Sequence, residues 1–183
     1  MPLPPLRTIP FILVSYTAPM LTPQQLFTRL DELGLAHTTV EHAPVYTVEE
    51  AKQHRGVLPG HHIKNLFLRN KKEAMWLVVA IEDRAIDLKQ LGERLGAGRL
   101  SFGSPERLRT YLGVEPGSVT PFSVVNDTNH AVRLVLDSGL KTGGPVNAHP
   151  LTNTMTTAIS TADLLRFFEA TGHQPNWLDF PAG

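Results

Sequence analysis

Two stretches of this sequence carry residues whose types and spacing can do chemistry. Lys64 lies inside Ile63-Lys64-Asn65-Leu66-Phe67-Leu68, among apolar neighbours. An ammonium buried in such company is costly unless it faces a cleft or a partner. In a cleft it can meet a phosphate, a carboxylate or an ester carbonyl. The other reading is a lysine on the solvated face of an alternating strand, and alternation alone does not choose between them. The second stretch runs Gly143-Gly144-Pro145-Val146-Asn147-Ala148-His149-Pro150-Leu151-Thr152-Asn153-Thr154 and is polar for a segment between strands. Loops of Gly, Asn, His and Thr often carry function. Pro150 biases His149 toward an extended backbone, which fixes the direction of its imidazole. The same residues also read as a capped turn with a surface histidine.

Other chemistries find no support. The chain has no cysteine, hence no disulfide, thiolate zinc site or Cys nucleophile. It lacks G-x-x-x-x-G-K-[ST] and G-x-G-x-x-G; Gly96-Ala97-Gly98 follows a helical pattern and reads as a helix stop. No G-x-S-x-G elbow exists, and Ser101, Ser104, Ser118, Ser123 and Ser138 fall at turns or caps. The eight histidines form no H-E-x-x-H, and the adjacent His61 and His62 face opposite ways on a strand. No metal or other cofactor is expected. Residues 51–72 hold Lys52, Arg55, Lys64, Arg69, Lys71 and Lys72 without one acid, yet the whole chain balances 17 basic against 17 acidic residues. That disfavours a protein gripping nucleic acid by bulk charge, while leaving a local basic patch.

These residues need elements to position them. The 183 residues, 42% hydrophobic and 19% charged, suit one domain with a real core and exclude a disordered chain. Thr22-Pro23 opens a helix that Gly34 ends. Residues 37–42 read as a strand, and Thr47-Val48-Glu49-Glu50 is a capping box opening a helix that ends near Gly56. Residues 62–69 and 75–81 form a hairpin about a polar turn. Asp87 and Ser104 cap two further helices, residues 117–121 are a loop, and 131–136, 146–151 and 155–159 are strands. Thr161 caps a last helix before Gly172. Helices and strands interspersed at irregular spacing predict an α/β or α+β domain with a mixed sheet. No apolar run is long enough for a membrane span. Residues 1–20 contain five prolines and one charge; with Pro10 inside the apolar stretch and no small-residue cleavage site, they read as an N-terminal extension, either a disordered tail or a stretch upstream of a true start at Met20, and not a secretory signal. The cytoplasm is the expected location.

Five motifs occur in order: His42-x-x-x-x-Thr47-x-Glu49-Glu50-Ala51, Lys64-Asn65-Leu66, Gly117-x-x-x-Pro121, Val125-Asn126-Asp127, and Asn147-x-His149-Pro150-Leu151-x-Asn153-x-x-Thr156-Thr157. Each is weak alone; their order and spacing are specific. On these residues the chain resembles the YbaK/ProX family of aminoacyl-tRNA editing domains, and within it the free-standing deacylases that clear Ala-tRNA(Pro). The resemblance implies a single domain over residues 21–183, following the extension 1–20, with a mixed, barrel-like sheet surrounded by helices. It implies hydrolysis of the ester that joins a wrong amino acid to the tRNA 3′ end. It places the family's lysine on Lys64 and its His-Pro turn on His149 and Pro150, the two side chains expected to be catalytic. Tyr46, Thr47, Asn65, Gly117, Ser118, Pro121 and Asn153 are the expected substrate-binding residues. His149 is either a general base or a residue that orders the pocket. The implied partner is the aminoacyl-adenosine end of a mischarged tRNA, with prolyl-tRNA synthetase or an elongation factor met transiently. An editing enzyme for Cys-tRNA(Pro) or Ser-tRNA, and a module that binds an RNA end without hydrolysis, are the alternatives.

Overall fold

The computed structural model describes residues 19–54 and 58–183. Most of the expected extension (residues 1–18), Arg55 and the expected helix end at Gly56 lie outside the described residues. In chain order the elements are α1 (Pro23–Glu32), β1 (His37–Glu41), α2 (Val48–His54), β2 (His61–Asn70), β3 (Met75–Ile81), α3 (Leu88–Arg94), β4 (Leu100–Phe102), α4 (Pro105–Leu112), β5 (Val132–Asp137), β6 (Val146–Ala148), β7 (Met155–Ile159), α5 (Thr161–Ala170) and β8 (Asn176–Leu178). Short 3-10 helices cover Pro121–Asn126 and Ser138–Lys141.

Helices begin where the sequence supplies an oxygen for the free N–H groups of the first turn. The Thr22 hydroxyl accepts from Gln25 N and the Gln25 side chain accepts from Thr22 N. Asp87 and Ser104 cap α3 and α4 alone. At α2, Thr47 accepts from Glu50 N as expected, but the Glu50 carboxylate reaches one residue further back and accepts from Tyr46 N at 2.7 Å. At α5 the expected cap is corrected: extended Ser160 accepts from Asp163 N, and Thr161 instead donates to Leu140 O at 2.7 Å.

The eight strands form one mixed sheet in the order β1-β7-β6-β2-β3-β5-β8, with β4 paired to β2. Pairs β2–β6, β3–β5 and β5–β8 are parallel. Central β3 is apolar along its length because both of its faces are buried. Met75, Leu77 and Val79 face a core with Leu26, Leu112, Phe122 and Phe167, while Trp76, Val78 and Ala80 face a smaller one with Leu91, Leu100 and Phe180. The strand expected over 146–151 stops at Ala148. There Leu151 N closes a tight turn on His149 O, Leu151 adopts φ 65°, and Pro150 has no N–H for a ladder. β4 and β8, three residues each, were not expected; such pieces are too short to show a period.

Candidate active site

The sheet is interrupted beside β2. One side of β2 pairs with β3 from Ile63 to Arg69. The other side meets β6 at His61 and His62 and β4 at Leu68, Arg69 and Asn70. Between those pairings, residues 63–66 have no strand partner on that edge among the described residues. A cavity of about 410 Å³ is set against this stretch. Its remaining walls are the β1–α2 connection (His42, Val45, Tyr46, Thr47), the loop before the first 3-10 helix (Gly117, Val119), β6 and its end (Asn147, Ala148, His149), Thr156 of β7 and Glu82. The early end of β6 at the His-Pro turn therefore has two effects: it leaves the gap and it places His149 on its rim.

Lys64 sits opposite Ala80 in the row that continues into half-buried Leu66 and buried Leu68, where the smaller core runs out into the cavity. Of the two readings of Lys64, the cleft-facing one is observed. Its Nζ donates to Arg84 O, which occupies one of three donor positions. Arg84 is fixed in turn. Its Nε donates to the fully buried Asp137 at 2.8 Å, and that carboxylate also accepts from Ile81 N and Gly139 N.

His149 Nδ1 lies 2.9 Å from Met155 O, so the proton sits on Nδ1 and Nε2 is left as an acceptor. Burial lowers the pKa of His149, the Met155 carbonyl opposes this, and His42 lowers it further. The imidazole is thus neutral at pH 7. His42 stands 6.1 Å away between ring centres. Its Nδ1 donates to Ala43 O and its Nε2 is hydrogen-bonded to the Thr156 hydroxyl, each at 2.8 Å.

Gly117 has φ 89°, and a Cβ there would lie 3.2 Å from the Tyr46 ring. The residue type is set by both backbone and contact. Tyr46 is 70% exposed, so a large ring stands at the lip of the cavity. The loop is anchored from behind: Ser118 N bonds Glu115 O, Ser123 Oγ donates to Thr120 O at 2.6 Å, and Phe122 is fully buried.

The cavity thus gathers six of the nine expected site residues: Tyr46, Thr47, Lys64, Asn65, Gly117 and His149. Ser118 and Pro121 are buried behind the loop, and Asn153 donates to Val45 O at 3.2 Å, tying the β6–β7 turn to the connection that carries Tyr46. These three hold walls in place and do not line the space. His42, Asn147 and Thr156 line it although the sequence assigned them no role; their places within the motifs were the available signal. His62 and Glu82 gave none. Apart from Lys64, the described cations of the basic stretch do not line the cavity. Lys52 pairs with Asp83 at 3.3 Å and Arg69 with Glu73 at 3.4 Å. Lys71 and Lys72 lie beyond the far end of β2, about 20 Å from Lys64 at strand spacing. Among the described residues no group of three or more His, Cys, Asp or Glu is arranged to hold a metal ion. No helix among them is long and apolar enough to cross a membrane.

Comparison with known proteins agrees with this geometry. The aminoacyl-tRNA editing domain family matches residues 42–167, from the first cavity histidine into α5. A prolyl-tRNA editing protein ProX from Acetoanaerobium sticklandii is 40% identical over 151 residues, 82% of this chain and 92% of that one. A prolyl-tRNA synthetase associated domain-containing protein 1 from Danio rerio is 41% identical over 165 residues, 89% of this chain and 90% of its own. A crystal structure described as a candidate trans-editing enzyme for prolyl-tRNA synthetase superposes with TM-score 0.67 at 25% identity, covering 88% of this chain and 97% of the other. With the interrupted sheet, the His-Pro turn and the glycine loop meeting at one cavity, this chain belongs to the aminoacyl-tRNA editing domain family and is an aminoacyl-tRNA deacylase, a hydrolase.

Proposed function

We propose that this chain edits mischarged tRNA(Pro) in trans, with Ala-tRNA(Pro) as its substrate. The observation that carries the reading is the cavity at the unpaired stretch of β2, where Lys64, a neutral His149 and the Gly117 loop meet. The relatives named for prolyl-tRNA editing support tRNA(Pro) as the carrier. A synthetase pocket built for proline rejects a smaller amino acid poorly, because missing methylenes are worth only about 1–3 kcal/mol; a second pocket that admits alanine and excludes proline by size completes the discrimination.

An aminoacyl ester is already activated. Its hydrolysis needs a placed water and stabilisation of the developing oxyanion, with no covalent nucleophile. Lys64 supplies positive charge through the donor positions not engaged by Arg84 O, either to that oxyanion or to the terminal phosphate and ribose. N–H groups of the Gly117 loop hold the ester carbonyl or the amino side of the substrate. His149 orders the pocket and the terminal adenosine, and the substrate's own 2′-hydroxyl with backbone groups positions the water. Asn65, Thr47 and Tyr46 contact the aminoacyl-adenosine, while Ser118, Pro121 and Asn153 support them. The editing unit spans residues 21–183 and works in the cytoplasm, meeting prolyl-tRNA synthetase or an elongation factor only in passing.

The test is a panel of Ala-, Cys-, Ser- and Pro-charged tRNAs mixed with purified protein. Rapid loss of alanine from tRNA(Pro) with Pro-tRNA(Pro) spared is the expected result. Preference for Cys-tRNA(Pro) or Ser-tRNA would reassign the substrate, and binding without ester loss would replace the enzyme by an RNA-end-binding module.

A further inference from the structure

Among the described residues two buried side-chain oxygens have no hydrogen-bond partner, Asn65 Oδ1 and Asn147 Oδ1, and both residues line the same cavity. An unpaired buried acceptor carries a penalty that calls for a specific explanation, such as a ligand that supplies the donor. Asn65 is already among the substrate-contacting residues; Asn147 is not. It is 5% exposed on β6, beside His62. Its Nδ2 donates to Pro59 O at 2.9 Å and to His61 O at 3.2 Å. Flipping the amide would set its oxygen against two carbonyls, so the positions of nitrogen and oxygen are fixed. Two donated bonds also polarise the amide and concentrate negative charge on Oδ1.

We propose that Asn147 is a specificity residue of the editing cavity, its Oδ1 accepting from the α-ammonium group of the aminoacyl ester. This rests on the deacylase reading above. The substrate end offers three kinds of donor: the ammonium, the ribose 2′-hydroxyl and the adenine amino group. Only the ammonium is cationic, and a polarised, preoriented acceptor favours it most. A site that hydrogen-bonds a substrate group in this way rejects the analogue lacking it, because its buried acceptor is then left unpaired.

The test compares alanyl-tRNA(Pro) with propionyl-tRNA(Pro), the same ester with hydrogen in place of the amine. Each kcat/KM is divided by the spontaneous hydrolysis rate of that ester, which removes their different intrinsic reactivity. The wild-type ratio of the normalised values is expected at about tenfold to a hundredfold in favour of alanyl, the range for one hydrogen bond to a charged group. Asn147→Ala narrows the ratio toward one by losing more on the alanyl ester than on the propionyl ester. Should Asn147→Ala not fold, Asn147→Ser, which keeps a small polar group on β6, carries the same readout. A wild-type ratio near one overturns the proposal, as does a folded variant that loses equally on both esters, since that is the mark of a structural role alone. Hydrolysis of neither ester by the wild type would remove the deacylase reading itself, and the proposal with it.

Discussion

The Nδ1 atom of His149 lies 2.9 Å from the carbonyl oxygen of Met155. This bond holds the ring at the end of β6 and leaves Nε2 turned to accept. Burial is the main cause of its lowered pKa, so deacylation that needs a neutral ring is expected to persist as pH falls through the ordinary histidine value of about 6.5 and to fail only below it. The same shift affects stability. The unfolded chain binds the proton more readily, so this contribution is complete above the unfolded pKa and is lost as pH drops toward the lowered folded value. His149→Ala is expected to cost about 10²-fold in kcat/KM by misplacing the substrate. His149→Asn keeps a donor at the δ position and is expected to recover most of that loss if the role is to order the pocket. A pH–rate profile on the three proteins checks this, and no recovery with Asn would assign His149 as the base.

Gly117 and Tyr46 constrain each other. Gly117→Ala puts a Cβ 3.2 Å from the Tyr46 ring at φ 89°, and the strained backbone costs about 1 kcal/mol or more. The main effect is expected in deacylation, since a loop displaced by about 1 Å can cost as much as 10²-fold. Urea unfolding and single-turnover rates measured together check both halves.

Asp127 is a structural tie remote from the cavity. Burial resists its ionisation, but bonds from His173, Val132 N and Ala131 N outweigh this and hold its carboxyl below the ordinary value. Its stability contribution is present above the unfolded carboxylate pKa and is lost as pH falls through the lowered folded one. Asp127→Asn is expected to cost about 1–3 kcal/mol at pH 7, the range for losing hydrogen bonds to a buried charged acceptor and leaving a buried donor unpaired. The loss is expected to shrink as the wild type is acidified, as urea melts across pH would show.

The sequence revealed the helix starts well because capping is local: Thr22, Asp87 and Ser104 each act within their own first turn. The β2–β3 hairpin was legible for the same reason. The motifs located Lys64, Gly117 and His149, but not the space between them. That space depends on where β6 stops and where β4 begins along β2, which is long-range pairing that no local pattern encodes. Of the basic stretch, Lys52 and Arg69 pair with Asp83 and Glu73, acids that lie outside it in sequence, so the local composition did not show which of its charges are matched.

Binding to tRNA is accordingly expected to depend only weakly on salt. With Lys64 the one lysine or arginine among the described residues that lines the cavity, the slope of log Kobs against log salt is expected at about −2, as for two or three phosphates neutralised. A filter-binding titration from low to moderate salt measures it, and a slope steeper than about −6 would reveal an extended basic surface.

Single-turnover deacylation of Ala-tRNA(Pro) by wild type and Lys64→Ala puts the cavity itself to the test. With the cation facing the open stretch of β2 removed, the rate is expected to fall about 10²- to 10³-fold, as for loss of one group that stabilises an oxyanion, with the fold intact by circular dichroism. A folded Lys64→Ala protein that deacylates at close to the wild-type rate would contradict the placement of the chemistry in this cavity.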